Sequence, residues 1–239
     1  MINQNTIALV TGANRGIGKA LVSALLNAGA SKVYAGTRDP SSTGSQFFDA
    51  RVVPIALDVT DAGQIEAAAA QASDTTMLFN NAGVLDFGDI LSAPMAAIEK
   101  NIATNFYGKL SMARAFTPVI LNNGGGAIIN TLTLVALASM PGLAVYNASK
   151  AAAWSMTQSL RASLAGQNIT VYGVFPGAVD TDMLAGVEMD KSSPQDVAEA
   201  IVAGVQAGDE DIFPDPMAAS VYEAWCADHK AVEKQFATM

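Results

Sequence analysis

A tyrosine and a lysine spaced four residues apart could perform acid–base chemistry in this 239-residue chain. Tyr146 and Lys150 share a face if their segment is helical. Residues 147–165 contain neither Gly nor Pro and are rich in alanine, which favours a helix. A lysine charge beside a phenol stabilises the phenolate, so we expect a lowered pKa for Tyr146 and proton transfer near neutral pH. An ordinary surface Tyr/Lys pair would have the same spacing, so the rest of the chain must decide.

A glycine-rich turn near the beginning of the chain separates an apolar strand from an amphipathic helix. Residues 7–10 are typical of a buried strand, and residues 19–28 have helical apolar periodicity. Between them, Gly12 permits a tight turn, Gly16 lets the backbone approach a pyrophosphate, and Gly18 lets helix and strand pack closely. The helix N-terminus would then face the anion. A glycine turn without a ligand is the alternative, but the strand–turn–helix context favours a dinucleotide site.

The second strand, residues 32–36, ends where such sites distinguish NAD from NADP. An NAD site usually has an acidic residue there for the ribose hydroxyls, but this chain has Thr37 and Arg38. The guanidinium of Arg38 would pair with a 2′-phosphate, and Arg15 in the glycine turn is a second phosphate partner. Asp39 could instead pair with Arg38. We therefore predict NADP(H) over NAD(H).

Strand and helix patterns alternate along the remaining chain, which predicts a parallel sheet. We expect an α/β fold in one domain, residues 1–239. It would be a Rossmann-type, doubly wound and mostly parallel seven-stranded sheet with helices on both faces. The further predicted strands are 52–59, 77–79, 126–133, 170–175 and 211–213, and the further helices are 61–72, 94–121, 147–165, 194–207 and 216–236. Asn105 lies inside the helix predicted at 94–121, where asparagine is unfavourable unless its amide has a task.

Five motifs together resemble one known family. They are Thr11-Gly12-x-x-x-Gly16-Ile17-Gly18, Asn80-Asn81-Ala82-Gly83, Asn105, Tyr146-x-x-x-Lys150 and Pro176-Gly177. Their order and spacing are similar to those of the short-chain dehydrogenases/reductases, in the short single-domain branch, over residues 6 to about 183. This resemblance implies hydride transfer between a nicotinamide cofactor and a carbonyl or alcohol substrate. It implies that Tyr146 is the general acid/base, that Lys150 binds the ribose and lowers the Tyr146 pKa, and that Asn105 anchors a water.

The resemblance also implies which residues bind the cofactor. Asp58 would hold the adenine amino group, Asn80 with Gly83 would line the cofactor, and Val179 with Thr181 would bind the carboxamide. The complete expected set is Gly12, Asn14, Arg15, Gly16, Ile17, Gly18, Thr37, Arg38, Asp58, Val59, Asn80, Ala82, Gly83, Tyr146, Lys150, Pro176, Gly177, Val179 and Thr181.

One position departs from the family pattern, because Thr133 stands where the family usually has a serine that bonds the substrate oxygen. Threonine keeps the hydroxyl but is stiff at χ1, so we expect the role to survive in a slightly narrower site. Thr131, on the same strand face, is the alternative. This replacement is the only support for the competing function, a nucleotide-sensing binding protein on a retired dehydrogenase fold. An epimerase or dehydratase is disfavoured by the turn spacing and the short chain.

The segments expected to line the substrate side are apolar and contain few charges. An apolar or aromatic ketone or aldehyde is therefore expected, although each residue could instead simply close the core. The expected substrate-side residues are Thr133, Tyr146, Leu85, Met140, Leu143 and Met183, with Phe87, Leu137, Leu184 and Met189 as further members of the wall.

Composition excludes several other classes of function. The net charge is −9 without any lysine/arginine run, which argues against a nucleic-acid or anionic-membrane surface. Cys226 and His229 are the only residues of their types, so we expect no disulfide, metal site or His-based triad. A buried strand begins too early for a signal peptide, so we expect a cytoplasmic protein. The helices of Asn105 and Tyr146 resemble the family's dimer contact, so we expect a homodimer, with a tetramer or a monomer open.

Overall fold

A single parallel sheet is the centre of the computed structural model, which describes residues 2–41 and 49–239. Its strand order is β3-β2-β1-β4-β5-β6-β7, and the six pairings between neighbours are all parallel. The strands are β1 Ile7–Thr11, β2 Lys32–Thr37, β3 Val52–Ala56, β4 Met77–Asn80, β5 Gly126–Thr131, β6 Ile169–Val174 and β7 Asp211–Ile212. The predicted Rossmann-type fold is confirmed. The order reverses between β1 and β4, where such sheets open a ligand crevice at the carboxyl ends of the strands.

Helices cover both faces of the sheet. The longer helices are α1 Gly16–Asn27, α2 Ala62–Gln71, α3 Met95–Ile102, α4 Lys109–Asn122, α5 Ala144–Leu164, α6 Pro194–Ala207 and α7 Pro216–Phe236. Alternate residues of β1 show the division, because Ala8 and Val10 pack with α1 and α6, whereas Leu9 packs with α2, α4 and α5. This alternation is the period-2 pattern of a strand buried on both faces. Among the described residues, none of the helices has both the length and the apolar character to cross a bilayer.

Two predicted strands are shorter than expected. The third ends at Ala56 and the fifth at Thr131, so the residues after each form loops at the carboxyl edge. One further backbone bond continues each ladder, from Leu57 N to Thr37 O at 2.8 Å and from Leu132 N to Val174 O at 2.6 Å. The residues expected to contact ligands therefore lie on loops just beyond the sheet.

The long helix predicted at 94–121 is present over residues 95–122, but it is not regular throughout. A π-helical turn, Ala103–Gly108, separates α3 from α4 and contains Asn105. Gly108 packs so closely that an added Cβ would lie 2.8 Å from a methyl carbon of Val59. The π-helical turn is a common feature of functional sites, because it redirects one side chain within an otherwise regular helix.

The closing helix spans the predicted residues but is bent. Asp228 has non-helical backbone angles, φ −154° and ψ 89°, and its carboxylate accepts hydrogen bonds from the N–H groups of Lys230 and Ala231. Asp228 thus caps a second helical segment, which returns Val232 and Phe236 to a buried cluster beside Tyr146.

Candidate active site

A cleft of about 850 Å³ opens at the carboxyl ends of the strands and brings the two halves of the sequence together. It is lined by the expected cofactor-binding residues with the exception of Asn80, and by Thr133, Tyr146 and Lys150. Its position is the one at which open α/β sheets bind ligands. Sequence reasoning did not identify several of its other residues, including Thr60, Lys100, Asp182 and Met217.

The glycine turn forms the floor of one end of the cleft. Gly12 and Gly16 have positive φ values of +66° and +51°, which favour glycine. An added Cβ at Gly18 would lie 2.2 Å from the carbonyl oxygen of Gly12, so helix α1 can approach β1 only at a glycine. Arg15 at the start of α1 forms no side-chain cap, and the first turn contains no acidic residue. Uncapped N–H groups facing a cleft fit the phosphates of a dinucleotide.

Asn80 is the expected cofactor residue that the structure places behind the cleft. Its side chain is fully buried and donates hydrogen bonds to Asn130 Oδ1 at 3.0 Å and to the carbonyl oxygen of Lys109 at 3.2 Å. Asn81 instead lines the cleft and donates to Thr11 O at 3.0 Å, which ties β4 to β1. Side chains alternate along the strand end, so the Asn80 side chain points into the protein, and the expected lining of the cofactor by Asn80 stays a prediction.

Thr37, Arg38, Asp58 and Thr60, which lie at or just after the ends of β2 and β3, also line the cleft. Asp58 accepts hydrogen bonds from the N–H and hydroxyl of Thr60 at 2.9 and 2.7 Å. Burial opposes ionisation of Asp58, but these bonds and the nearby charge of Arg38 outweigh it and lower the pKa of the carboxyl. Asp39 accepts hydrogen bonds from the backbone and hydroxyl of Ser41.

The second expected phosphate partner, Arg15, contacts the other wall of the cleft. Its guanidinium lies 3.1 Å from Asp182, and both side chains are largely exposed. Below this ion pair the walls nearly touch, because an added Cβ at Gly16 would lie 2.9 Å from the methyl carbon of Thr181. An exposed ion pair contributes little to stability, so Arg15 can exchange Asp182 for a ligand phosphate at small cost.

Tyr146 and Lys150 lie in the first turns of α5, and both line the cleft while being largely buried. The ammonium of Lys150 lies 5.4 Å from the centre of the Tyr146 ring and donates to Thr131 O at 2.9 Å. The expected lowering of the Tyr146 pKa is wrong for this structure. Burial raises the pKa of the phenol, and the Thr133 hydroxyl only partly opposes that rise. Burial also lowers the pKa of Lys150 to about 7, so the lysine is a weakened source of positive charge.

Thr133 lies between the end of β5 and a short 3₁₀ turn, Leu134–Ala136. Its hydroxyl donates to Pro176 O and accepts from Val135 N, both at 3.4 Å. Its extended backbone, with φ −173° and ψ 156°, is relaxed for a β-branched residue. The structure therefore places a hydroxyl beside Tyr146 where the family pattern has a serine. The carbonyl oxygen of the alternative residue, Thr131, is bonded to Lys150.

Asn105 does not line the cleft itself but joins three segments around it. Its amide oxygen accepts from Val84 N at 3.0 Å, and its amide nitrogen donates to Val84 O and Ser149 Oγ, each at 2.9 Å. Ser149 in turn donates to Tyr146 O at 2.7 Å. The π-helical turn thus connects the loop after β4 to the helix of Tyr146 and Lys150. The expected water site at Asn105 stays a prediction.

Lys109 is a second buried lysine beside this site. Its ammonium donates to Asn80 O at 2.5 Å and to Ala82 O at 3.1 Å. Burial lowers its pKa well below the usual value, and the charge of Lys150 lowers it further. Sequence reasoning missed Lys109. The signal that could have identified it is its spacing of four residues from Asn105, which puts both residues on one side of a helix.

The far side of the cleft is an apolar wall. Four apolar residues expected on the substrate side line it, namely Leu85, Met140, Leu143 and Met183, and so do Leu184 and Met189. Leu137 instead packs against a separate buried cluster, and Phe87 is 60% exposed outside the lining. Met217 from α7 completes the wall. The position of Met217 depends on how the last helix docks, so no local pattern could have identified it.

Known proteins with similar sequences identify the family. The family model described as short chain dehydrogenase matches residues 6–192, and the chain belongs to the short-chain dehydrogenase/reductase family of oxidoreductases. An uncharacterized oxidoreductase of Staphylococcus aureus (strain MRSA252) is 30% identical over 205 residues, covering 82% of this chain and 89% of the relative.

Solved structures are similar over nearly the whole chain. A short chain dehydrogenase from Burkholderia cenocepacia J2315 in complex with NADP is 38% identical, with a TM-score of 0.91 and 97% of each chain covered. A short chain dehydrogenase/reductase from Burkholderia phymatum in complex with NAD is 23% identical, with a TM-score of 0.84 and coverage of 96% and 95%. At that lower identity the second structure supports the fold alone.

Proposed function

We propose that this protein is an NADP(H)-dependent carbonyl reductase or alcohol dehydrogenase that acts on apolar or aromatic ketones and aldehydes and on the corresponding alcohols. The convergence of Tyr146, Lys150 and Thr133 in one cleft with the glycine turn is the observation on which the proposal depends. A proton donor and a cradle for phosphates in the same cleft are the two requirements for carbonyl reduction by a nicotinamide cofactor.

The residues on the substrate side have distinct tasks in this proposal. A bound nicotinamide would supply the hydride. The phenol of Tyr146 gives its proton to the substrate oxygen as the carbonyl carbon is reduced, and it accepts that proton in the reverse reaction. Thr133 orients the same oxygen through its hydroxyl. Lys150 holds the cofactor ribose, and its positive charge stabilises the negative charge that forms on Tyr146 when the phenol gives up its proton. Burial raises the pKa of Tyr146 still further above neutral pH, so the phenol carries the proton that the reductive direction needs.

The preference for NADP(H) is supported by two arginines that line the cleft, Arg15 and Arg38. Arg38 follows β2 at the position where an NAD site has an acidic residue. The ion pair of Arg15 with Asp182 is exposed, so Arg15 can leave it to bind a phosphate. The relative from Burkholderia cenocepacia, 38% identical, is in complex with NADP. The predicted set of cofactor residues is retained here without the side chain of Asn80.

The apolar character of the substrate is supported by its wall. Met140, Leu143, Met183 and Met217 present hydrocarbon and thioether groups to the cleft. Methionine is flexible and adapts to irregular ligands, so a broad range of bulky apolar carbonyl compounds is expected.

Assembly and location are also proposals. We propose a homodimer formed through α4 and α5, with a tetramer or a monomer as the alternatives, and a cytoplasmic location. Light scattering of the purified protein distinguishes the three assemblies, and a mass equal to one chain contradicts the dimer.

A panel of carbonyl compounds tests the reaction. The absorbance of NADPH is followed with small aliphatic ketones, aryl ketones, bulky diketones and a charged sugar phosphate. Aryl or bulky ketones should be reduced, and Tyr146→Phe should lose activity at least about a hundredfold while still quenching or enhancing NADPH fluorescence on binding. Saturation by the sugar phosphate but by no aryl ketone contradicts the substrate class. Tight NADPH binding without turnover of any compound favours the nucleotide-sensing alternative.

A further inference from the structure

One buried carboxylate joins the cofactor side of the cleft to the C-terminal helix. Asp215 is 5% exposed and immediately precedes α7. Its Oδ1 accepts from Ala218 N at 2.9 Å, and its Oδ2 accepts from Gly177 N at 2.7 Å. The first bond is an ordinary helix N-cap. The second reaches a turn distant in sequence, so both oxygens are used and each holds a different segment.

The turn held by Asp215 also contacts the proposed catalytic threonine. Pro176 O accepts hydrogen bonds from Leu134 N at 3.0 Å and from Thr133 Oγ1 at 3.4 Å. Pro176 and Gly177 both line the cleft. A shift of this turn would therefore move a wall of the cofactor site and an acceptor of the Thr133 hydroxyl together.

The packing around Gly177 leaves little freedom for such a shift in the intact protein. An added Cβ at Gly177 would lie 2.7 Å from Asp215 Oδ1 and 3.1 Å from Met217 Cβ. Met217, in the first turn of α7, lines the substrate side of the cleft. Stacked rings of Phe175, Phe213 and Tyr222, with centroids 4.9 and 3.9 Å apart, hold α7 against the end of β6.

We propose that Asp215 is a positioning residue for hydride transfer, which fixes the Pro176–Gly177 turn against α7 and so sets the geometry of Thr133 and the place of Met217. In consequence, the C-terminal helix controls the size of substrate that fits the site. The inference rests on the proposed function for the reaction itself, but the bonds of Asp215 can be tested without turnover.

Asp215→Ser separates helix capping from positioning. A serine hydroxyl caps a helix about as well as aspartate, but its single oxygen cannot also reach Gly177 N. Amide exchange of a peptide covering residues 173–180, measured by mass spectrometry, should speed up at least about tenfold because the Gly177 N–H loses its acceptor. Turnover of the best ketone should fall about tenfold or more in kcat, while the Kd for NADPH changes by less than about threefold.

Asp61→Ser is the matched control. Asp61 caps α2 by accepting from Gln64 N at 3.0 Å, and it does not line the cleft. The control should leave kcat and the exchange of residues 173–180 unchanged. Equal behaviour of the two serine variants would show that Asp215 is only a cap, and would overturn the proposal. If Asp215→Ser does not fold, Asp215→Asn gives the same test, because its amide group retains one acceptor and turns an N–H donor toward the other N–H.

Met217→Ala tests control of substrate size. The ratio of kcat/KM for a bulky diketone over a small ketone should rise about tenfold, with exchange of residues 173–180 as in the unaltered protein. An unchanged ratio would overturn this part of the proposal. If the unaltered protein reduces no carbonyl compound, the proposed function fails. Amide exchange in the Asp215 variants still tests the turn: faster exchange of residues 173–180 shows that the turn depends on this carboxylate, and unchanged exchange shows that it does not.

Discussion

The ammonium nitrogen of Lys150 lies 2.9 Å from the carbonyl oxygen of Thr131, so the lysine is bonded to the end of the strand that leads to Thr133. The lysine is 3% exposed, and burial lowers its pKa from the usual 10.5 to about 7. Burial of this ionisable amine therefore lowers the stability of the folded protein, but it places the amine where a cofactor ribose is proposed to lie. Ground-state burial of a functional charge is common at active sites.

Lys150→Met should change how stability depends on pH. Between about pH 7 and pH 10.5 the folded protein binds fewer protons at Lys150 than the unfolded chain does, so the stability of the unaltered protein rises with pH in this window. The variant lacks that contribution. Relative to the variant, the unaltered protein should therefore become more stable by about 2 kcal/mol from pH 7 to pH 9.

Urea unfolding at the two pH values measures this difference. Lys234→Met, at an exposed position on α7, is the matched control and should show the pH dependence of the unaltered protein. Parallel stability curves for Lys150→Met and the unaltered protein would mean that Lys150 is not strained by burial.

Thr133→Ala should lower kcat/KM more than about tenfold, the scale of one lost hydrogen bond to a reacting oxygen. Thr133→Ser restores the family residue and should stay within about threefold of the unaltered enzyme, because it keeps the hydroxyl that bonds Pro176 O. Thr131→Val tests the alternative residue and should retain activity. Steady-state kinetics with one aryl ketone compares all three. Near-normal activity of Thr133→Ala would remove Thr133 from the mechanism.

The local parts of the site could be predicted from sequence because local rules determine them. The apolar strand, glycines and periodic helix of residues 7–28 define the phosphate cradle within one short segment. The spacing of Tyr146 and Lys150 places them on one side of α5, which has no internal Gly or Pro to bend it. The parallel sheet likewise follows from alternating strand and helix patterns.

The parts that depend on tertiary contacts could not be predicted. The π-helical turn at Asn105 forms where its amide bonds Val84 and Ser149, which lie 21 and 44 residues away. The raised pKa of Tyr146 is a consequence of burial, which spacing alone does not reveal. Met217 reaches the cleft only because α7 docks beside Gly177.

Arg38→Ala should raise the KM for NADPH about tenfold to a hundredfold and leave the KM for NADH nearly unchanged. A charge-assisted hydrogen bond to a 2′-phosphate contributes about 1.5–3 kcal/mol, and NADH lacks that phosphate. Arg114→Ala, at an exposed position of α4 outside the cleft, is the control for loss of a positive charge. If the unaltered enzyme uses NADH severalfold better than NADPH, the assignment of the cofactor is wrong.

Gly18→Ala should abolish binding of the cofactor, and Gly63→Ala should not. A methyl group at Gly18 would lie 2.2 Å from the carbonyl oxygen of Gly12 and 2.6 Å from the Asn81 amide, so α1 must move away from β1. At Gly63, in α2, the closest contact is the end of the Asp61 side chain at 3.4 Å, and alanine should stabilise that helix by up to about 1 kcal/mol. Thermal unfolding with and without NADPH measures both effects, because a ligand that binds the folded state raises its Tm. Gly63→Ala should keep the NADPH-dependent rise, whereas Gly18→Ala should lose it even if the protein still folds. A normal rise in Gly18→Ala would mean that the glycine turn does not hold the cofactor.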